Sequence, residues 1–313
     1  MSFIAILLAL LLEQARPLGA DNSVHRGALG WVRWAQHTVD AGQQPHGWLA
    51  WLVAVVVPTA LAAGIYLLLA GWNLALGFVW MVAVLYVTLG FRQFSHYFTT
   101  IREALESGDE VRAREVLAEW RQVDVSELPR QELLRHVIEY AMVQAHRHVL
   151  GVLVCVVVFA AIGLGPAGAV FYRLAEYVSR AWCSAPEGEA SAPACSAAAR
   201  AWHWADYLPV RVTAVALAVV GNFEEAIASW RQDARHFANP NDGILLAATS
   251  GAINVRLGGQ PLDPAATVSP ESVAATDGRT PQLAHLASVV GAVWRSVVLW
   301  MLLLALGVLA RLV

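Results

Sequence analysis

The sequence predicts an all-α, polytopic helical membrane protein with a cytoplasmic helical hairpin. Of the 313 residues, 58% are hydrophobic and only 14% are charged. No charged residue occurs between Asp40 and Arg92. Several apolar runs also approach the roughly 20 residues that a spanning helix needs, because lipid cannot satisfy backbone polar groups. The net charge of −3 gives no indication of nucleic-acid binding, so the lipid bilayer is the expected partner.

Four apolar runs predict four membrane spans. They cover residues 48–72, 74–91, 149–172 and about 288–312. Pro58 predicts a kink in the first span, because proline lacks the N–H that a helix interior needs. Two shorter segments are harder to assign. Residues 2–12 are expected to form a retained anchor helix, and residues 208–221 could form a half-span or a buried core helix.

The distribution of arginine predicts the orientation of the spans. The connection from Arg92 to Arg147 carries 8 Arg, and the connection of residues 14–47 carries three more. Basic residues accumulate in cytoplasmic loops, so both connections are expected in the cytoplasm and residues 172–205 outside. The chain is therefore expected to be a multi-pass protein of the bacterial inner membrane.

Between the spans the sequence predicts a helical hairpin and a linker. Residues 93–120 and a second helix starting near Ser126 and reaching about His148 form the predicted hairpin. Residues 259–280 are rich in Pro, Ala, Thr and Ser, which is typical of a flexible linker. The resulting division is 1–92 for the N-terminal membrane segments, 93–148 for the hairpin, 149–258 for the third span and helical core, and 259–313 for the linker and last span.

Several polar residues are candidates for binding. His203 and Asp206 lie three apart, on one face of a helix, and Arg211 follows just beyond Pro209. Ionisable groups beside an apolar run need partners or a function, so a binding site and structural ion pairing are both open. The polar turn from Arg231 and Asp233 to Asn241 and Asp242 either holds a phosphate or metal, or Asn241 and Asp242 cap the helix that follows.

The cysteines allow two interpretations. Cys183 and Cys195 flank a loop of mainly small or polar residues, and they form a disulfide if the loop faces an oxidising compartment. Otherwise they are two isolated thiols. A zinc site is not expected, since no further Cys or clear His pair accompanies them. The chain also lacks the common nucleotide-binding and hydrolase motifs, so no metal and no cofactor follow from the residues alone.

Residues 230–259, WRQDARHFANPNDGILLAATSGAINVRLGG, resemble the CobD/CbiB family of cobalamin-biosynthesis membrane proteins. That family has an Arg-Asp-Ala-like start, a Pro-Asn-x-Gly element and a small-residue helix ending in Val-Arg-Leu-Gly-Gly, which contains Arg256 here. Residues 207–211 are similar to its aromatic-x-Pro-x-Arg element. Residues 165–168, followed by Tyr172 and Arg173, resemble its Gly/Pro-rich turn after a span.

The resemblance implies an activity, and the sequence departs from the pattern that supports it. Family enzymes join adenosylcobyric acid to aminopropanol phosphate or aminopropanol in an ATP-dependent amide condensation, which implies Mg²⁺ and ATP. Glu139 remains from the family's acidic set before the third span. Its other members are replaced here by Val143, Gln144, His146 and His148, and the family's Asp pair is absent from residues 200–203.

The centre of the chain looks more like AmpE, a related inner-membrane protein linked to β-lactamase regulation. The His-x-x-Asp-aromatic-x-Pro-Val-Arg element of such proteins is similar to residues 203–211. The leading hypothesis is therefore a non-catalytic component of envelope signalling, or a partner in a membrane complex or homo-oligomer. The alternative is an adenosylcobinamide-phosphate synthase. A third hypothesis is a small-ligand or lipid-binding protein that uses His203, Asp206, Arg211 and Asn241.

Overall fold

The computed structural model describes residues 2–16, 23–40, 44–184, 191–262 and 274–310. These residues confirm the predicted all-α class, because they form helices and, apart from two isolated β-bridges, no strand. The helices in chain order are α1 (Ser2–Ala15), α2 (Ser23–Val39), α3 (Gln44–Trp51), α4 (Val57–Trp72), α5 (Leu74–Thr88), α6 (Phe91–Glu106), α7 (Glu110–Arg121), α8 (Arg130–Ala145), α9 (Gly151–Ala161), α10 (Ala167–Cys183), α11 (Ala192–Val220), α12 (Phe223–Asp233), α13 (Pro240–Ile253) and α14 (Leu283–Leu309).

The chain divides into two compact units. Unit 1 comprises Met1–Phe91 and Arg147–Pro209, and unit 2 comprises Arg92–His146 and Val210–Val313. Residues 208–221, which the sequence leaves open, belong to the C-terminal part of α11, with Pro209 inside the helix. The four-part division of the chain drawn from the sequence stays a prediction.

Within the described ranges, three continuous helical segments are long and apolar enough to cross a membrane. They are Pro45–Trp72, Arg130–Ala161 and Leu283–Gly307. Two shorter apolar helices, Phe3–Ala15 and Leu74–Thr88, lie in the regions predicted as an anchor and a second span. The long apolar helices confirm a polytopic membrane protein by length and composition.

The first long segment carries a π-helical turn, Leu52–Val56, just before Pro58. Pro58 has no N–H, so the carbonyl of Ala54, four residues earlier, lacks its usual helical donor. The indole Nε1 of Trp31 in α2 lies 3.2 Å from that carbonyl and donates to it. The turn before the proline is therefore π-helical, and a tryptophan from another helix satisfies the carbonyl. The predicted kink itself stays a prediction.

A tight turn joins α4 to α5. Asn73 is the one residue between the two helices, and its side chain accepts a hydrogen bond of 2.8 Å from the N–H of Ala75. A Cβ atom on Gly77 would lie 2.8 Å from the Cβ of Ala70, so glycine lets the two helices meet closely. Together, the cap and the glycine hold α4 and α5 close together, between the bounds of the first two predicted spans.

The predicted third span, 149–172, is wrong in its bounds. The apolar helix begins at Arg130, passes through the π-helical turn His146–Leu150 and ends at Ala161. Gly163 and Gly165 have φ angles of 85° and 58°, which favour glycine and end the helix. A Cβ on Gly165 would also lie 2.5 Å from Cδ1 of Tyr66, so this turn packs too closely for any side chain.

One contact in unit 1 corrects the predicted orientation. A Cβ on Gly47 would lie 2.8 Å from the backbone oxygen of Pro193, so the start of the first span lies against the start of α11. The sequence placed residues 14–47 in the cytoplasm and residues 172–205 outside. Segments in contact cannot lie on opposite sides of a hydrocarbon core about 30 Å thick. One of those two placements is therefore wrong.

Unit 2 begins with the predicted helical hairpin, but its first arm is broken. A single helix over residues 93–120 was expected, whereas α6 ends at Glu106 and α7 begins at Glu110. Gly108 has a φ of 82°, and the Asp109 side chain caps α7 by accepting from the N–H of Arg112 at 2.9 Å. These two residues supply a helix stop and a helix start that the sequence interpretation passed over.

Aromatic side chains hold this hairpin together. The ring of Trp120 stacks on Tyr97, with 5.8 Å between the ring centroids. The same ring packs edge-on against Tyr140, with 4.6 Å between the centroids. Burial, followed by the charge of Glu119, raises the pKa of the Tyr97 hydroxyl. The second arm, α8, is thereby positioned by residues on both preceding helices.

The segment after α13 is docked where the sequence predicted a flexible linker. The hydroxyl of Thr276 accepts from the N–H of Leu257 at 2.9 Å and lies 2.6 Å from the hydroxyl of Ser250. Isolated bridges join Val255 to Arg279 and Gly258 to Ala275. The prediction of flexibility is wrong for residues 274–280, and residues 263–273 of the predicted linker lie outside the described residues.

Candidate functional site

The polar turn predicted from the sequence lies in unit 2, where α12 leads through a short 3₁₀ turn into α13. The side chain of Asn239 caps α13, accepting from the N–H groups of Asn241 at 3.0 Å and Asp242 at 3.3 Å. Pro240 takes the first helical position, where its missing N–H is not needed. The expectation that Asn241 and Asp242 themselves cap the helix is therefore wrong, since both lie inside its first turn.

The other residues of this turn are arranged around Asp233. Its carboxylate accepts a 2.7 Å hydrogen bond from Ser229 and lies 3.7 Å from Nδ1 of His236. Arg231 and Arg235 are exposed, while Asp242 is half-buried and Asn241 is buried. The turn thus combines carboxylate and amide oxygens with two solvent-facing guanidinium groups.

A second polar cluster in unit 2 surrounds Glu139 on α8. Its Oε1 accepts from Arg135 at 3.0 Å and from the backbone N–H of Gly258 at 2.7 Å, and its Oε2 lies 3.4 Å from His136. The Arg135 side chain is only 5% exposed and also pairs with Glu132. Charged groups this deeply buried are stable when they are paired and hydrogen-bonded, as they are here.

Phe237 connects the polar turn to the Glu139 cluster. A Cβ on Gly243 would lie 3.1 Å from Cβ of Phe237, and a Cβ on Gly258 would lie 3.4 Å from its Cζ. Gly258 in turn donates to Glu139. The Pro-Asn-x-Gly element and the Val-Arg-Leu-Gly-Gly element therefore meet α8 in one part of unit 2, which we take as the candidate site.

The glycines of this site are required by packing. A Cβ on Gly243 would collide with the carbonyl of Ala234, and a Cβ on Gly251 would collide with that of Glu225. Gly258 has a φ of 82°, which favours glycine. Small residues thus allow the end of α12 and the 3₁₀ turn to lie directly on α13.

Unit 1 holds a different polar arrangement. Asp206 is buried and accepts a 2.8 Å hydrogen bond from the hydroxyl of Tyr172. Nearby on α10, Glu176 lies 3.5 Å from Arg173 and 3.3 Å from Arg180. Burial lowers the pKa of the Arg173 guanidinium, and the Glu176 carboxylate opposes that shift. Glu176 is thus placed between two arginines of its own helix.

The remaining predicted residues lie apart from the candidate site or on its margin. His203 is half-buried, and its ring packs near Trp204 and Tyr207. Arg211 is half-buried in the unit 2 part of α11. Arg256 is exposed, and its backbone N–H donates to the carbonyl of Arg279 at 2.8 Å. Of the four residues in the ligand-binding hypothesis, two belong to unit 1 and two to unit 2.

The structure joins Cys183 and Cys195 in a disulfide. Residues 185–190 between them lie outside the described residues. Cys155 is a buried free cysteine in α9.

Sequence reasoning missed the residues that surround Glu139. Arg135 lies four positions before Glu139, and Glu132 lies three positions before Arg135. Those spacings place charged partners on one helix face, so they were a usable signal. The contact of Glu139 with Gly258 joins residues 119 apart in the chain, and no local pattern indicates it.

Within the described residues, no group of three or more His, Cys, Asp or Glu side chains could hold a metal ion. A divalent cation at the candidate site would therefore need ligands from a bound substrate. Mg²⁺ commonly binds in this way, through one or two carboxylates together with phosphate oxygens and water.

Comparisons with known proteins identify relatives along almost the entire chain. The family model described as "CobD/Cbib protein" matches residues 5–306. The "Cobalamin biosynthesis protein CobD" of Stutzerimonas stutzeri is 31% identical over 97% of this chain and 97% of its own length. The protein of the same name from Chromobacterium violaceum is 33% identical over 61% of this chain and 60% of its own. No solved structure matches.

These relatives overturn the leading hypothesis from the sequence. A non-catalytic, AmpE-like role in envelope signalling is wrong, because the matched relatives are named for cobalamin biosynthesis. The leaning against an enzyme is likewise unsupported. It relied on acids missing from two short motifs, whereas the family match extends over both units. The chain belongs to the CobD/CbiB family.

Proposed function

We propose that this protein is a cobinamide-phosphate synthase-type ligase of cobalamin biosynthesis. It would join adenosylcobyric acid to aminopropanol phosphate, or to aminopropanol, through an ATP-dependent amide condensation. The observation that carries the proposal is the 31% identity to a CobD protein over 97% of both chains. The long apolar helices support a multi-pass location in the bacterial inner membrane.

The chemistry of the polar turn fits a magnesium–nucleotide complex. Asp233 and Asp242 supply carboxylate oxygens and Asn241 supplies an amide oxygen, which are the hard ligands that Mg²⁺ prefers. Bound ATP supplies the phosphoryl group that activates a substrate carboxyl for amide formation. Since the protein offers few carboxylates here, the phosphates would complete the metal's coordination.

The chain's own residues would bind and neutralise the phosphates. Arg231 and Arg235 are four positions apart and both exposed, so their guanidinium groups are available to phosphate oxygens. Arg256 follows α13 and is also exposed. The N–H groups of Asn241 and Asp242 are already bonded to Asn239, so the side chains would provide the contacts.

Glu139 would act as a positioning residue. It fixes Gly258 at the end of the α13 segment through its N–H, and it holds Arg135 at the same time. The side chain of Arg135 also donates to the backbone oxygen of Gln260 at 2.7 Å. This pair therefore anchors the chain that follows α13 to α8, and it keeps the polar turn in place through Phe237.

The proposal is tested by complementation in a strain that lacks cobinamide-phosphate synthase. We expect this chain to restore cobinamide formation, measured by mass spectrometry of corrinoids. Absence of rescue by a chain that reaches the membrane in normal amount would overturn the proposal.

Two matched variants sharpen this experiment. Asp242→Asn should abolish most of the rescue, because it removes a proposed ligand of the metal–nucleotide complex. Asp277→Asn makes the same change at an exposed aspartate of unit 2 and should rescue fully. Both variants are quantified in membranes by immunoblot. Equal rescue by the two would remove the polar turn from the proposed site.

A further inference from the structure

Unit 1 contains an open apolar groove of about 400 Å³. Four helices form its walls: α3, α9, α10 and α11. The aromatic and aliphatic side chains that line it include Trp48, Trp51, Phe159, Phe171, Trp204 and Leu208. Among the residues that the structure describes, none that lines the groove carries a charge. This groove takes no part in the proposed amide condensation, which uses residues of unit 2.

The lining selects an occupant with a long apolar portion. A peptide would bring backbone N–H and C=O groups, each of which costs free energy when it is buried without a partner. An acyl chain has no such groups. Along α11 the groove extends from Ala201 to Pro209, roughly 12 Å at the helical rise per residue. Those dimensions suit an extended hydrocarbon chain.

The groove lies at the ends of two long apolar segments. Trp48 and Trp51 are in the first turns of Pro45–Trp72, and Val154 and Phe159 are in the last turns of Arg130–Ala161. Lipid headgroups begin at the ends of spanning helices, and tryptophan is enriched at that level. A lipid with its chain in the groove would therefore have its headgroup close by.

The side chain of Arg200 lies at the rim of the groove. The guanidinium carbon of Arg200 lies 5.8 Å from the ring of Trp48, one of the lining residues. Arg200 is exposed, and its hydrogen bonds go to the backbone oxygen and hydroxyl of Ser196. In the described part of the chain, no carboxylate forms an ion pair with Arg200. Because Arg200 is exposed, its guanidinium is accessible to an anion from outside the protein.

We propose that this groove binds an anionic phospholipid of the surrounding bilayer. One acyl chain occupies the space between α3 and α11, and the phosphate contacts Arg200. The groove supplies affinity by burying apolar surface, and the arginine supplies the preference for a negative headgroup.

The test uses the full chain reconstituted in nanodiscs with a phosphatidylglycerol that carries a photoreactive diazirine in one acyl chain. We expect crosslinks to concentrate on the peptides that contain Trp48, Trp51 and residues 201–209. Replacing the probe by the matching phosphatidylcholine should lower the yield about fivefold, the effect of one arginine near a negative lipid.

The arginine has a close control within the same chain. Arg200→Ala should remove the preference for phosphatidylglycerol. Arg295→Ala should retain it, although Arg295 is also exposed and also donates Nε to the carbonyl four residues earlier. Ala205→Trp, which fills the groove, should abolish the localised crosslinks with either lipid.

Three outcomes would overturn the proposal. Crosslinks spread evenly over all apolar helices would show only general contact with the bilayer. Equal yields with the two lipids would remove the role of Arg200. Absence of crosslinks on the peptide that contains residues 201–209 would show that no acyl chain occupies the groove. If Ala205→Trp does not fold, the Arg200 and Arg295 pair decides the question alone.

Discussion

The two units both use glycine to bring helices together, yet they bury different polar chemistry. In unit 1, glycine at Gly151 makes room for Tyr172, whose hydroxyl donates to Asp206 in a largely apolar interior. In unit 2, Glu139 is bound by Arg135 and also by a backbone N–H from a distant segment. The first arrangement satisfies one buried group, whereas the second also anchors a chain segment next to the candidate site.

This difference predicts which variants should lose stability alone and which should also disturb the candidate site. Changes at the Tyr172 hydrogen bond should affect only the stability of unit 1. Changes at Glu139 should affect both the stability of unit 2 and the position of the segment after α13. The following predictions test that distinction, and each free energy of unfolding is to be measured by denaturant titration of the purified protein in mild detergent.

The largest effect is expected for Glu139→Ala. It should lower the free energy of unfolding by about 3 kcal/mol, because it leaves the buried Arg135 guanidinium without one carboxylate partner. Glu106→Ala removes a glutamate whose side chain is 53% exposed, and it should change stability by less than about 0.5 kcal/mol. Equal effects of the two variants would contradict the anchoring role of Glu139.

The second largest loss of stability is expected for Gly168→Ala in unit 1. A Cβ on Gly168 would collide with the carbonyl of Cys155, so Gly168→Ala must separate α9 from α10. Overpacking of this kind costs about 2 kcal/mol. The control is Gly64→Ala in α4, where a Cβ would meet no atom within 4 Å. It should be neutral or slightly stabilising, because alanine favours helix, and a loss as large as that of Gly168→Ala would refute the steric explanation.

Removing the buried hydrogen bond of unit 1 should have a smaller effect. Tyr172→Phe deletes the donor to Asp206 and should cost about 1.5 kcal/mol, the usual value for a bond to a charged group. Cobinamide formation should be unchanged in membranes that contain equal amounts of protein. A loss of synthesis without a loss of stability would instead assign this pair to the chemistry.

The smallest effect is expected at the cap of α13. Asn239→Ala should cost about 1 kcal/mol, because the N–H groups of Asn241 and Asp242 lose their acceptor. Asn239→Asp retains an acceptor at the same position and should restore most of that stability. If aspartate fails to do so, the side chain of Asn239 has a role besides capping.

Much of the fold follows from local patterns in the sequence. The apolar runs predict the long helices, and the break between α4 and α5 occurs at Asn73, between the first two predicted spans. The predicted end of the third span is wrong because residues 149–172 are apolar on both sides of Gly163 and Gly165. Hydropathy alone cannot detect a break that depends on positive φ angles and on the close approach of Tyr66.

The candidate site was predictable only in part. The polar turn lies where the Pro-Asn-x-Gly element indicates, but the neighbouring Asn239 performs the capping role assigned to Asn241 and Asp242. The docking of Gly258 on Glu139 depends on tertiary packing between α8 and the segment after α13. Contacts between segments so far apart in the chain produce no local sequence pattern, so the sequence alone cannot predict them.

Because Gly47 lies against Pro193, the Cys183–Cys195 disulfide also indicates the side of the membrane on which the first apolar segment begins. Disulfides persist in oxidising compartments, so the disulfide-bonded loop is expected to face the periplasm. The first apolar segment would then begin at the periplasmic surface, against the bias of the arginines. A membrane-impermeant reductant added to intact spheroplasts should expose both thiols to labelling. Labelling of both thiols without any reductant, and only after the membrane is permeabilised, would instead place this end of the molecule in the reducing cytosol.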